Sequence, residues 1–132
     1  MGRMGKLGAI EFDYMDMDVV LCHVKRDKDG NYEVQNFSRN PWELVFKGGE
    51  PSDEKLLKFF ERRSFRRERP DVAIALEEIG LTEYDPRLIV RKTHGSFFHD
   101  TYWIRFKGED LDFNGMRTLN MGPDWQKCYK QD

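Results

Sequence analysis

Hydrophobic positions along the chain fall into two periods, and the change between them divides the sequence. From Leu7 to Phe46 the pattern reads as β. Ile10 and Phe12 alternate with Glu11 and Asp13, and the run Val19-Val-Leu-Cys22 is made of strand formers. Asp27-Lys-Asp-Gly-Asn31 is a turn signal, because Asp-Gly supplies the positive φ that tight hairpins need. Tyr32 and Val34 then alternate with Glu33 and Gln35, so Met17–Phe37 is expected to form a hairpin.

Gly48-Gly49-Glu-Pro51 ends this pattern and a helical period follows. Ser52 reads as an N-cap, with Asp53 and Glu54 in the first turn, where the helix dipole favours acids. Leu56, Leu57, Phe59 and Phe60 form the apolar stripe of a helix ending near Arg63. Pro70 is expected to open a second helix whose stripe is Val72, Ile74, Ala75, Leu76 and Ile79, closed by Gly80. Asp85-Pro86 repeats the cap-then-proline start before Leu88, Ile89 and Val90, in a short third helix that stops by Gly95. Thr101–Phe106 reads as a strand with Tyr102, Ile104 and Phe106 on one face, which leaves Trp103 and Arg105 on the other. Leu111–Met116 has room for one helical turn, and the tail from Asn120 to Asp132 has no clear period, so the sequence leaves open whether it is a loose tail. The order predicts an α+β fold: a small antiparallel sheet, built from the N-terminal hairpin and a later strand, with about three short helices packed on it.

Composition changes this picture little. The 132 residues suit one domain, residues 1–132, and a chain of this length buries roughly two thirds of its unfolded surface. Aromatic residues make up 14 % of it, which suits a packed core, and 35 % are charged. The net charge of −2 argues against coating nucleic acid by bulk charge, while leaving room for a local basic face. Cys22 and Cys128 are too few for a secreted disulfide scaffold, so a cytoplasmic location is expected, with a Cys22–Cys128 bridge left open. No stretch approaches a membrane span of roughly 20 apolar residues, and the N-terminus lacks an apolar signal core.

The densest charge feature is Glu61-Arg-Arg-Ser-Phe-Arg-Arg-Glu-Arg69, with five arginines in eight residues between two helices. Guanidinium groups suit bidentate recognition of phosphate or carboxylate, so Arg62, Arg63, Arg66, Arg67 and Arg69 are binding candidates. Arginines at a helix end also gain from the dipole with no partner at all. Trp103 is the candidate for an exposed aromatic anchor beside Arg105, since Trp and Arg dominate binding hot spots. His94, His99 and Asp100, which His23 could join, are weak candidates for a metal or proton-transfer site. His94 before Gly95 fits better as a residue that satisfies backbone carbonyls at the end of the third helix. No P-loop, GxGxxG, HExxH, paired-cysteine or nucleophile motif is present, and no cofactor is implied. The groups Asp13-Asp16-Asp18 and Glu109-Asp110-Asp112 lack the ligand spacing of a calcium loop.

Between Asp53 and Arg117 several short motifs recur that are similar to known proteins. They are Leu57-Lys-Phe-Phe-Glu-Arg-Arg63, Arg69-Pro70, Glu78-Ile-Gly-Leu81, Tyr84-Asp-Pro86, Thr93-His-Gly95 and Asp100-Thr-Tyr-Trp-Ile104. The pattern resembles short proteins carried on phages and mobile elements of gut Firmicutes. More distantly it resembles the N-terminal subdomain of HipA-type serine/threonine kinases. With the chain ending at Asp132, no kinase domain is expected and no catalytic residue carries over. The resemblance implies a stand-alone regulatory module, either an antitoxin-like partner or an inhibitor of a host defence nuclease in the manner of anti-CRISPR proteins.

Three function classes follow. The first is a non-enzymatic protein-binding module, a regulator or inhibitor, for which the two acidic groups could present a phosphate-like face. The second is a nucleic-acid-binding module using the arginine loop, with the steep salt dependence that counterion release brings. The third is a small hydrolase or metal site around His94 and His99. Oligomeric state is left open by the sequence.

Overall fold

The computed structural model describes residues 7–129, without the side chains of Cys128 and Tyr129. It is an α+β fold. Strands β1 (Ile10–Asp16), β2 (Val19–Arg26) and β3 (Tyr32–Asn36) are followed by helices α1 (Asp53–Arg62), α2 (Val72–Glu78) and α3 (Pro86–Thr93). Then come strand β4 (Tyr102–Phe106), helix α4 (Phe113–Met121) and a last helical turn, α5 (Gln126–Tyr129). The four strands form one antiparallel sheet in the order β3-β2-β1-β4. The expected hairpin is β2–β3, with Val24 opposite Val34. A second hairpin precedes it, turning at Met17-Asp18, where Met17 takes a positive φ of 53°.

Alternation along β1 and β4 sends side chains to two faces. Phe12, Tyr14, Ile104 and Phe106 join the main core with Leu56, Phe59 and Phe60 of α1 and Val90 of α3. Met15 and Trp103 point the other way and pack with Phe113 and Met116 of α4 and with Trp125. A bulge in β2 sets Leu21 between the partners of Tyr14 and Met15, so Leu21 and Cys22 are both buried in the main core. Burial pushes the Cys22 thiol up to about 11. A Cys22–Cys128 bridge falls outside the described residues.

The caps follow the sequence with one exception. The Ser52 hydroxyl accepts from Lys55 N at 3.2 Å, and the Asp85 carboxylate accepts from Arg87 N at 3.0 Å. Gly80, at φ +81°, closes α2, with Leu81 N donating to Leu76 O at 2.9 Å. Pro70 does not open α2. Helix α2 starts at Val72, and the Asp71 side chain makes no capping bond because Arg69 holds both its oxygens at 2.5 and 2.7 Å.

Three expectations are corrected, and the open question of the tail is answered for the described residues. Pro41–Phe46 is no strand: Pro41–Glu43 make a 3-10 turn, and Leu44, Val45 and Phe46 fold into the main core. Ile74 lies on the solvent side of α2 at 58 % exposure, and Leu88 on that of α3; a seven- or eight-residue helix buries one narrow stripe. Trp103 is 0 % exposed rather than an outward anchor, because α4 covers that face and Met17 O accepts its indole N–H at 2.7 Å. Asn120 and Met121 complete α4 and Trp125 is buried against Phe113, so the chain stays packed past Asn120. Among the described residues no helix is long and apolar enough to cross a membrane.

Phe59 stacks on Phe12 (centroids 6.1 Å apart) and meets Tyr14 edge-on at 4.9 Å. Phe59→Ala is expected to lower stability by about 3–5 kcal/mol. Ile74→Ala should stay within about 0.5 kcal/mol, as for other surface changes. Urea unfolding of both variants checks the two faces.

Candidate functional site

The arginine run divides by environment. Arg63, at the C-cap of α1, is 9 % exposed. Its Nε donates to Gly95 O at 2.9 Å, its terminal nitrogens donate to Asp100 at 3.1 and 3.2 Å, and Nη2 also donates to Tyr102 O at 3.0 Å. The guanidinium also lies 4.7 Å over Phe97. Arg63 therefore belongs to the interior and not to a binding surface. Arg69 is taken by Asp71 and lies over Phe65 at 5.4 Å. Arg62, Arg66 and Arg67 remain exposed, and none forms a salt bridge among the described residues. Arg67 rests 4.4 Å over the Tyr84 ring, whose hydroxyl donates to Phe65 O at 2.5 Å.

These three arginines line part of a continuous depression along the outer side of α1. At one end it is a hollow of about 570 Å³ floored by Val45, Phe46 and Phe59 and ringed by Lys47, Lys55, Lys58 and Arg62. It shares Glu61 and Arg62 with the next hollow, which adds Arg66, Arg67, Glu68 and Tyr84. That in turn shares Glu61, Arg67 and Tyr84 with a third, ending at Asp85, Pro86 and Arg87. Trp42 is 75 % exposed, and Lys47 lies 4.8 Å over its ring. The lysines and Tyr84 were not singled out by sequence, since they are scattered over three segments and only the fold aligns them.

The histidines do not converge. His94 takes the left-handed conformation at the end of α3 (φ 60°), is buried, and bonds Glu109 through Nε2 at 3.0 Å. Asp100 is held by Arg63, and His99 is exposed and stacked on Phe97. Among the described residues no group of three or more His, Cys, Asp or Glu side chains is placed to hold a metal ion. His23 sits on the sheet face that α4 leaves partly open. There Asp13 meets its Nδ1 at 2.6 Å and Glu11 its Nε2 at 2.9 Å. Arg105 donates to Asp13 at 3.1 Å and Lys107 pairs with Glu11 at 3.3 Å, so Arg105 is engaged within the sheet. All members of the two acidic groups but the exposed Asp110 are also committed to structure. Asp16 accepts from Thr101, Asp18 from Phe113 N, Asp112 caps α4, and Glu109 accepts from Phe106 N.

Burial pulls the His23 pKa down, but its hydrogen bonds to Asp13 and Glu11 outweigh that and raise it above its usual value. Burial likewise pushes Glu11 up, and its bonds to His23 and Lys107 outweigh it and hold the carboxyl below the usual range. No family model, no curated protein and no solved structure matches this chain.

Two outcomes are expected. His23 has a raised folded pKa, so its contribution to stability is complete below the unfolded value of about 6.5 and fades as pH rises through the folded value. The urea midpoint of the wild type should fall across that window more than that of His23→Gln; equal slopes would remove the effect. Arg63→Ala should cost about 3–5 kcal/mol, because it breaks the buried pair with Asp100 and strands the carbonyls of Gly95 and Tyr102. Arg62→Ala should cost under about 0.5 kcal/mol. Chemical denaturation separates the two.

Proposed function

We propose that this protein is a non-catalytic binding module that holds an acidic surface of a partner protein along α1, and so acts as a regulator or inhibitor of that partner. The observation that supports it most is the row of exposed, unpaired Arg62, Arg66 and Arg67 in one depression with Lys47, Lys55 and Lys58. A guanidinium with no internal partner, already ordered by stacking as Arg67 is on Tyr84, loses less freedom when it meets a carboxylate. Exposed Trp42 beside Lys47 provides an aromatic contact of the kind that anchors interfaces. Glu61 and Glu68 within the same depression, and a net charge of −2, favour a protein surface of mixed charge over a polyphosphate backbone. The resemblance of Asp53–Arg117 to a regulatory subdomain fits the same role, in the cytoplasm and without a cofactor.

The test is capture of the partner from a cytoplasmic extract on the immobilised full chain, before and after nuclease digestion. A protein retained after nuclease on the wild type, and lost on the triple variant Arg62→Glu, Arg66→Glu, Arg67→Glu, is the expected result. Retention on the triple variant would remove the groove from the interaction. Recovery that disappears with nuclease would replace the protein partner by nucleic acid.

A further inference from the structure

A second cationic pocket lies at the end of the sheet, next to Arg26, which ties β2 to the first turn of α1. A pocket of about 400 Å³ is lined by Ala9, Ile10, Glu11, Lys25, Arg26, Asp27, Lys28, Arg91 and Lys107. It forms where β1 begins, β2 ends and the last turn of α3 comes over the sheet. Five of those nine residues are cationic and two are acidic, and both acids already have partners. Glu11 is held by His23 and Lys107. The Asp27 carboxylate faces into its own turn, accepting from the backbone N–H groups of Asp29 and Asn31 at 2.9 Å each. Of the cations, Arg26 is buried and neutralised by Asp53, to which its Nε and Nη2 donate at 2.8 and 2.9 Å. Its Nη1 donates to Gly8 O at 2.7 Å, which fixes the chain that forms one wall.

Lys25, Lys28 and Arg91 are left over. Lys25 stands in register between Glu11 and Glu33 on the neighbouring strands and bridges neither. Lys28 and Arg91 form no ion pair among the described residues, and the Arg91 guanidinium lies 4.0 Å over the Phe106 ring, which holds its plane. Five cations line this pocket against two acids that already have partners, and a compact multivalent anion suits that excess of positive charge. Fork-shaped guanidinium donors and lysine point charges suit phosphoryl oxygens, and a pocket of this size admits a small molecule but not a folded surface.

We infer that this pocket binds a small phosphoryl or pyrophosphoryl anion through Lys25, Lys28 and Arg91. The site is separate from the groove at Arg62, Arg66 and Arg67 and does not depend on its role. The experiment is a titration of the isotope-labelled full chain with pyrophosphate at low salt, followed by amide chemical shifts. Saturable shifts confined to Ile10, Lys25, Lys28, Arg91 and Lys107 are expected. Arg91→Gln and Lys25→Gln should each weaken binding by about tenfold. The triple arginine-to-glutamate variant of the groove should bind as the wild type does. Parallel titrations with inorganic phosphate and a nucleoside diphosphate assign the source: tighter binding of the diphosphate identifies a nucleotide, and tighter binding of pyrophosphate identifies the free anion. Shifts that do not saturate, that spread over the arginine loop, or that are indifferent to Arg91→Gln and Lys25→Gln would overturn the site.

Discussion

The buried guanidinium of Arg63 is the tie on which the rest of the structure depends. From the end of α1 it reaches the carbonyls of Gly95 and Tyr102 and the carboxylate of Asp100, and so joins the helix to the chain that leads from α3 into β4. That chain can approach because residue 95 is glycine. With φ at +59°, a Cβ there would stand 2.8 Å from Ile104 Cδ1 and 3.2 Å from Arg63 Cβ. A second buried arginine, Arg117, grips the same segment from the opposite face by donating to the carbonyls of Phe97 and Asp100. Residues 97–102 are thus held between α1 and α4, and Trp103 enters the sheet directly after them. Two interior charges are costly to desolvate, and the cost is offset here because their N–H groups meet carbonyls and a carboxylate.

The same tie explains why the exposed arginines can form a surface. With Arg63 fixed, the chain turns outward at Arg66, and Arg67 lands on Tyr84, itself bonded to Phe65 O. At the far end of α1, Asp53 receives Arg26 and the Tyr32 hydroxyl, so the helix is fastened to the β2–β3 hairpin. Helix α1 is therefore anchored at both ends while its outer side stays free. The groove runs along that free side, and the second cationic pocket lies by the sheet beyond the Arg26–Asp53 tie.

Much of the fold could be read before any coordinates, where local chemistry decides the conformation. Ser52, Asp85, Gly80 and the Asp27–Asn31 turn act within a few residues, and each appears where its side chain or its freedom in φ demands. What could not be read depends on distant contacts. Arg62 and Arg63 are adjacent and identical in type, yet one faces solvent and the other is interior; only the positions of Gly95 and Asp100 separate them. Trp103 looked exposed because β4 was read with one covered face, whereas α4, Met15 and Trp125 cover the second. The His23 network depends on a turn that sequence does not mark. A turn at Met17-Asp18 pairs Asp13 with His23 across the hairpin, and that turn carries no Asn-Gly or Asp-Gly signature.

The three tryptophans occupy three different surroundings. Trp103 lies in the sheet with its N–H bonded to Met17 O, Trp125 is buried edge-on to Phe113, and Trp42 stands in solvent beside Lys47. The molecule accordingly carries its own optical labels. An aqueous collisional quencher reaches the indole next to the groove and leaves the two interior indoles untouched, so emission from this one chain separates events at its surface from loosening of its core.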